Sequence, residues 1–246
     1  MTSFRTVARG LLVLACLLIA VPASAQAGRI SGSINFGMQG GSDDFTQRVT
    51  PTIYDEAASL DIAQTAESGP LFDLGGSYLA FGNIGFGLSY SRTSGDGTAA
   101  IAAQIPDPLS FLRPARAASA SADGLEHSEH AVHLQVFYRF AASPKLDVSV
   151  GVGPTFFSVN QELVETVDVT ESGATPAITP RVVEASDSPV GVHIGADITY
   201  MVNERFGAGV LLRYATGSAD LTTPNGTNLS LDAGGFQFGA GLRVRF

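Results

Sequence analysis

The chain has 246 residues, 14 basic and 23 acidic, for a formal net charge of −9, and it is 45% hydrophobic but only 15% charged. Ordinary soluble domains carry roughly a quarter charged residues, and the acidic balance excludes nucleic acid as a partner. Beyond the N-terminus no apolar run reaches the roughly 20 residues that a membrane-crossing helix needs, which excludes a helical membrane protein.

The first 25 residues have the organisation of a secretory signal. Arg5 and Arg9 form a basic start, Leu11 to Val21 an apolar centre, and Ala23-Ser24-Ala25 an A-x-A cleavage site before Gln26. Removal of residues 1–25 takes away Cys16, the only cysteine, and leaves 12 basic against 23 acidic residues, a net of −11. The exported part, 26–246, is expected to be a single domain without disulfides, metal or cofactor.

One pattern then recurs along the chain. Ile30, Ile34, Phe36 and Met38 alternate with Ser31, Ser33, Asn35 and Gln39, the period-two signature of an extended strand with one apolar face. The same alternation returns in Phe72–Ala80, Ile84–Ser91, Glu129–Phe140, Leu146–Phe156, Val190–Tyr200, Phe206–Tyr214 and Gly235–Phe246. Eight segments of about ten residues match the length of a tilted strand crossing a bilayer. Phe81-Gly82-Asn83, Ala141–Lys145 and Asn203-Glu204-Arg205 are short turns. By contrast, Gly40–Leu71, Arg92–Ser128, Asn160–Pro189 and Ala215–Ser230 are long connections. Short turns on one side and long loops on the other belong to outer-membrane barrels.

Periodicity alone leaves open whether the apolar face looks into a soluble barrel or out into lipid. The polar face is rich in glycine, which suits the narrow interior of eight strands. Tyr78, Tyr90, Tyr138, Phe140, Tyr200, Phe206, Tyr214 and Phe246 sit near strand ends, where an interfacial girdle places aromatics. Lysine is almost absent. The expected fold is all-β: a closed, eight-stranded, antiparallel up-and-down transmembrane β-barrel with its apolar side chains in lipid.

At this point the chain resembles the eight-stranded outer-membrane β-barrel superfamily, similar to the OmpA transmembrane domain and the opacity-protein-like barrels. The specific part of the resemblance is the terminal Phe246, with Val244, Leu242 and Phe238 alternating before it. These residues look like the signal read by the outer-membrane insertion machinery. The resemblance implies the outer membrane of a diderm bacterium, with lipopolysaccharide among the contacting lipids. It carries over no functional site, because the architecture hosts unrelated activities.

Inward charges are the remaining chemistry. With a turn centred on Ser143, Arg139 falls opposite Asp147 and should pair with it. With a turn centred on Glu204, Gly195 falls opposite Arg213 and leaves Asp197 diagonal to that arginine. Asp73, His133, His193, Arg243 and Arg245 complete an expected polar network in the lumen that plugs the barrel. His127, His130 and His133 have a metal-like spacing, but a strand sends His127 and His133 inward with Glu129 and His130 outward, which disfavours a metal site. Glu126-His127-Ser128-Glu129 could be read as lipid-modifying chemistry; a polar loop edge is much the stronger reading, and no catalytic residue is assigned.

In the long loops, Leu163–Thr170 and Ile178–Ala185 are rich in β-branched residues and are expected to extend as a ribbon, as are Thr46–Tyr54 and Ser59–Ala66. Ile105–Arg116 is too apolar for a free linker and is expected to dock on the barrel mouth as a lid or contact surface. The functional expectation is a non-enzymatic, monomeric surface protein that binds an extracellular ligand through its loops. The alternatives are a narrow pore or a lipid-modifying enzyme.

Overall fold

The computed structural model describes residues 29–109, 114–171, 175–223, 226 and 228–246. The expected signal segment, 1–25, lies outside the described residues. Thirteen strands follow in order: β1 (Ile30–Gly40), β2 (Ser42–Val49), β3 (Thr52–Ile53), β4 (Glu56–Ala57), β5 (Ser59–Glu67), β6 (Pro70–Phe81), β7 (Ile84–Ile105), β8 (Arg116–Ala141), β9 (Leu146–Thr170), β10 (Ala177–Asp187), β11 (Val190–Met201), β12 (Phe206–Thr222) and β13 (Asn228–Arg245).

Eight of them form a ring, β1-β6-β7-β8-β9-β11-β12-β13, with every neighbour antiparallel and β13 closing onto β1 from Ser31↔Arg245 to Gly40↔Phe236. Closure satisfies every backbone N–H and C=O in the hydrocarbon zone, where no water is at hand to do so. The apolar side chains of the ring face outward: Phe36 is 66% exposed, Phe238 48% and Val192 59%, with Leu134 on the same surface. Asn35, Asp73, His133, His193, Arg213, Gln237 and Arg243 are buried inside.

Most of the long connections are strand. β7, β8 and β9 have 22, 26 and 25 residues, and at about 3.3 Å per residue each is roughly 70 Å or longer, twice the ~30 Å hydrocarbon thickness. They leave the membrane without a break and, joined by β2, β5 and β10, build an extension above it. The β9–β10 and β2–β5 ribbons pair along 159–187 and 42–67. The Arg92–Ser128 stretch differs from its reading as a loop: Arg92–Ile105 pairs with Arg116–His130 as a continuous hairpin. Alanine, serine and threonine dominate it, and so small a set of side chains hides the alternation that bulky residues make visible.

Across the membrane boundary the direction of the side chains persists while their polarity reverses. Within the ring the outside is apolar and the inside polar. In the extension Leu60, Ile62, Ile101, Ile105, Val164 and Ile178 point inward and form one buried cluster, and Phe157, Val159, Leu163, Leu221 and Leu231 form a second. Outward residues there are polar or small, among them Asp61, Ala100 and Asp220, and all three are exposed. The reversal follows the solvent outside the wall, hydrocarbon below and water above.

Phe157 marks the level of the change. It projects across the interior onto glycines: a Cβ on Gly191 would lie 2.9 Å, and one on Gly217 3.0 Å, from its ring. No larger residue fits beneath it. Between β7 and β8 the pairing jumps from Gly97↔Leu125 to Thr98↔Asp123. The residue left over is Gly124, at φ +71, a left-handed conformation that glycine adopts without steric cost. This bulge switches the buried positions of β8 from odd below it to even above it.

Above the ring the wall is not continuously laddered. The upper β12–β13 hairpin is held between β10 and β2 by two carboxylates: Asp220 N–H donates to Asp187 Oδ2 (2.8 Å) and Asp232 N–H donates to Asp43 Oδ2 (2.8 Å). The expected lid does not reach the barrel mouth. Ile105 is buried in the extension core and Arg116 donates to Pro106 O (3.0 Å), so the described part of this segment caps the far end of the extension; 110–113 lie outside the described residues.

Because the extension has its own apolar core, an Ile62→Asp substitution should open it while the ring stays closed. On intact cells the variant is expected to become protease-sensitive around β5 yet keep heat-modifiable gel mobility. Loss of both properties together would show that ring and extension are one cooperative unit.

Candidate functional site

The lumen is lined by the inward faces of eight strands, and its polar residues are ordered by height. Nearest the short turns, Arg245 is ion-paired with Asp147. Arg139 donates to Ser31 Oγ (3.3 Å) and lies 5.8 Å over the Phe137 ring. The expected Arg139–Asp147 pair does not form. The turn is centred on Pro144, with Ser143 Oγ accepting from the Lys145 (3.3 Å) and Leu146 (3.1 Å) amides. Asp147 therefore opposes Ala141, and Arg139 opposes Ser149. Moving the centre by one residue moves the pairing by two.

One level up, Arg243 spans Asp197 with two nitrogens and donates through Nη1 to Asn35 Oδ1 (2.7 Å). Gly195 does oppose Arg213, but Asp197, diagonal to that arginine, pairs with Arg243 instead. Arg213 reaches across the lumen to Asp73 (Nη2 to Oδ2, 2.8 Å), with side-chain exposures of 4% and 3%. It also donates to Ser89 Oγ (3.0 Å) and to Gln237 Oε1. Gln237 donates to Gln39 Oε1 (2.6 Å), and Gln39 donates to Glu129 Oε2 (2.9 Å). Asn35 closes the sequence by donating to Asp73 Oδ1 (2.8 Å).

A single string of hydrogen bonds thus runs from Asp197 through Arg243, Asn35, Asp73, Arg213, Gln237 and Gln39 to Glu129. Buried charges this close are tolerable only when paired and hydrogen-bonded, and each of these is. Asn35, Gln39 and Gln237 are the linking amides that sequence reasoning did not single out, whereas Glu129 is the inward carboxylate expected beside His127. Their signal was present, since all sit at inward positions of their strands, but an uncharged amide is indistinguishable in sequence from ordinary lumen filling. Between the lower residues is a cavity of about 90 Å3, bordered by Arg139, Asp147, Asp197 and Arg243 among others, polar in its lining and roomy enough for water.

The histidines occupy the upper lumen. His133 is hydrogen-bonded to Ser91 Oγ (2.9 Å) and Thr155 Oγ1 (2.9 Å), and His193 to the same threonine (2.9 Å). The two rings meet edge to face at 5.0 Å. His127 is held by Gln161 (2.7 Å) and Glu129 (3.1 Å) inside the wall, whereas His130 bonds the Tyr90 hydroxyl (2.6 Å) on the outer wall. Among the described residues no three His, Cys, Asp or Glu side chains gather as a metal site. Lipid-modifying chemistry would need His127 and Ser128 together, and the strand places them on opposite faces.

Two further features lie away from the lumen. At the far end of the extension Arg116 clamps Glu171 through both guanidinium nitrogens (2.7 Å each), and the Tyr54 hydroxyl donates to the same carboxylate (2.8 Å). The Arg116 hydrogen bonds hold the Glu171 carboxyl down at about 2. At the C-terminus, Phe238, Leu242 and Phe246 are 48%, 66% and 67% exposed on the outer wall, and Val244 is half-buried on the same face.

Residues 11–244 match the family model described as the outer membrane protein beta-barrel domain. The fold is similar to that of the outer membrane protein OprG from Pseudomonas aeruginosa, with TM-score 0.49 and 9% identity over 90% of this chain and 97% of that one. Neisserial surface protein A is similar at TM-score 0.45 and 10% identity, covering 89% and 98% of the two chains. Ail, the attachment invasion locus protein of Yersinia pestis, is similar at TM-score 0.40 and 12% identity, covering 89% and 99%. No curated protein sequence matches the chain.

Two outcomes follow from this geometry. Asp73→Ala strands the Arg213 charge in a closed lumen, so urea unfolding from lipid vesicles should show a loss of about 3–5 kcal/mol; Asp73→Asn, which keeps an acceptor, should lose less. An undiminished Asp73→Ala would mean that the pair is not buried as described. Glu171, with its carboxyl lowered from 4.5 to about 2, stabilises the tip fully above pH 4.5 and loses that contribution as pH falls through 2. Protection of the β7–β8 tip amides, relative to their intrinsic exchange rates, should therefore fall over that window, and Arg116→Gln should shrink the pH dependence.

Proposed function

Because the chain belongs to the outer membrane protein beta-barrel domain family and resides in the bacterial outer membrane, we propose that it is a surface-interaction protein whose extracellular extension binds a ligand outside the cell. The observation that carries this reading is the extension itself. More than half of β7, β8 and β9 lies beyond the ring, around two apolar clusters of its own. A protein that only sealed or filled the membrane would have no need of it.

Against a pore, the membrane-level lumen is crossed by the Asp73–Arg213 and Asp197–Arg243 pairs, and Phe157 with the apolar clusters occupies the interior above them. Eight strands enclose space for side chains and leave little else. The outer surface of the extension is acidic, with Asp44, Asp61, Asp96, Glu126, Asp168 and Glu184 exposed, which favours a cationic ligand by electrostatic steering. In the same reading Phe238, Leu242, Val244 and Phe246 form the contact for the insertion machinery.

Full-length protein in phospholipid vesicles should bind a polycationic probe in a salt-dependent way. Replacing Asp61, Asp168 and Glu184 by asparagine or glutamine should weaken that binding without altering heat-modifiable mobility. Planar bilayers containing the protein should show no steady conductance. An open channel, or binding indifferent to those substitutions, would overturn the proposal.

A further inference from the structure

Among the described residues, the extracellular outer wall carries one arginine without an ion pair. Four arginines are described on the extracellular side. Arg48 is paired with Asp61, Arg116 with Glu171 and Arg181 with Asp168. Arg92 is exposed and, among the described residues, has neither an ion pair nor a hydrogen bond.

Its height on the wall is fixed by register. Phe72, Arg92, His130 and Ser158 are successive partners across β6, β7, β8 and β9 and all point outward. The row beneath is Leu74, Tyr90, Val132, Phe156 and Val190, apolar but for the Tyr90 hydroxyl, whereas the row of Arg92 mixes Phe72 with polar side chains. The row above is Ser94, Ser128 and Asn160, and above that Asp96 opposes Glu126. Arg92 thus sits where the outer wall turns from apolar to polar, level with Phe72 and below the Asp96 and Glu126 carboxylates, which repel anions from higher positions. Beside it the Tyr90 hydroxyl is bonded to His130 Nδ1 (2.6 Å) and the two rings stack at 29°, a rigid floor for the guanidinium.

An arginine at headgroup height, free of protein carboxylates, matches the phosphate of an outer-leaflet lipid. The planar guanidinium fork suits phosphate oxygens bidentately, and the interfacial setting strengthens the contact relative to bulk water. We propose that Arg92, seated beside the Tyr90–His130 pair, is a docking point for the phosphate of a phosphorylated glycolipid of the outer leaflet, of the lipid A class. The β6–β9 side of the barrel thereby carries a fixed lipid. This inference rests on the outer-membrane location and is independent of the ligand proposed for the extension.

The test uses the full chain folded in phosphatidylcholine nanodiscs doped with lipid A, then released into neutral detergent for native mass spectrometry. Wild type should retain lipid A, Arg92→Gln should retain about tenfold less, as expected for one lost charge-assisted contact, and Arg48→Gln should match wild type. Wild type should also fail to retain dephosphorylated lipid A, an arm that needs no variant. Equal retention by Arg92→Gln, or equal retention of the dephosphorylated lipid, would overturn the proposal. Displacement of lipid A by millimolar inorganic phosphate would assign the site to a soluble anion and remove the lipid.

Discussion

Hydrocarbon accepts no hydrogen bonds, and the rest of the molecule follows from that. A strand in lipid must have a partner on both edges, so the sheet closes. Closure with eight strands leaves an interior only wide enough for side chains, so those side chains must satisfy one another. The Asp73–Arg213 pair and the amides linking it to Gln39 and Glu129 are the result. The charges that could not face lipid are turned inward, where Asp73, Asp147 and Asp197 are each cancelled by an arginine.

Water on the far side of the boundary imposes the opposite arrangement on the same strands. β7 continues from Phe86 and Leu88 facing lipid to Ile101 and Ile105 facing the interior without a break in the chain. The wall needs no new element to change solvent. It needs only a change in which parity of residue is apolar, together with the Gly124 bulge where β8 adjusts its phase, and Phe157 standing on glycine between the wet and dry interiors.

The membrane part was legible because bulky apolar side chains alternate with polar or absent ones over ten residues. Phe236–Phe246 and Glu129–Phe140 carry that contrast in full. The extension was legible only in patches. Leu163–Thr170 has β-branched residues and reads as strand, but Thr98–Gln104 is alanine, threonine, isoleucine and glutamine, and its long pairing with β8 is invisible without the partner. Within the lumen the inward set could be read from parity, since parity fixes the face. Pair identity could not: Arg139 and Asp147 were mismatched by one residue of turn placement, and Asp73–Arg213 joins strands that are not neighbours in the ring.

The unbroken course of β7, β8 and β9 from turn to tip also decides how the protein answers a pull from outside. A force applied at the far hairpins runs parallel to the strands, so it loads the long ladders in shear, with many hydrogen bonds resisting at once, and there is no linker along these three strands to yield first. The extension therefore behaves as a rigid mast stepped directly into the bilayer wall, and tension on it is delivered to the surrounding lipid rather than spent on uncoiling a tether.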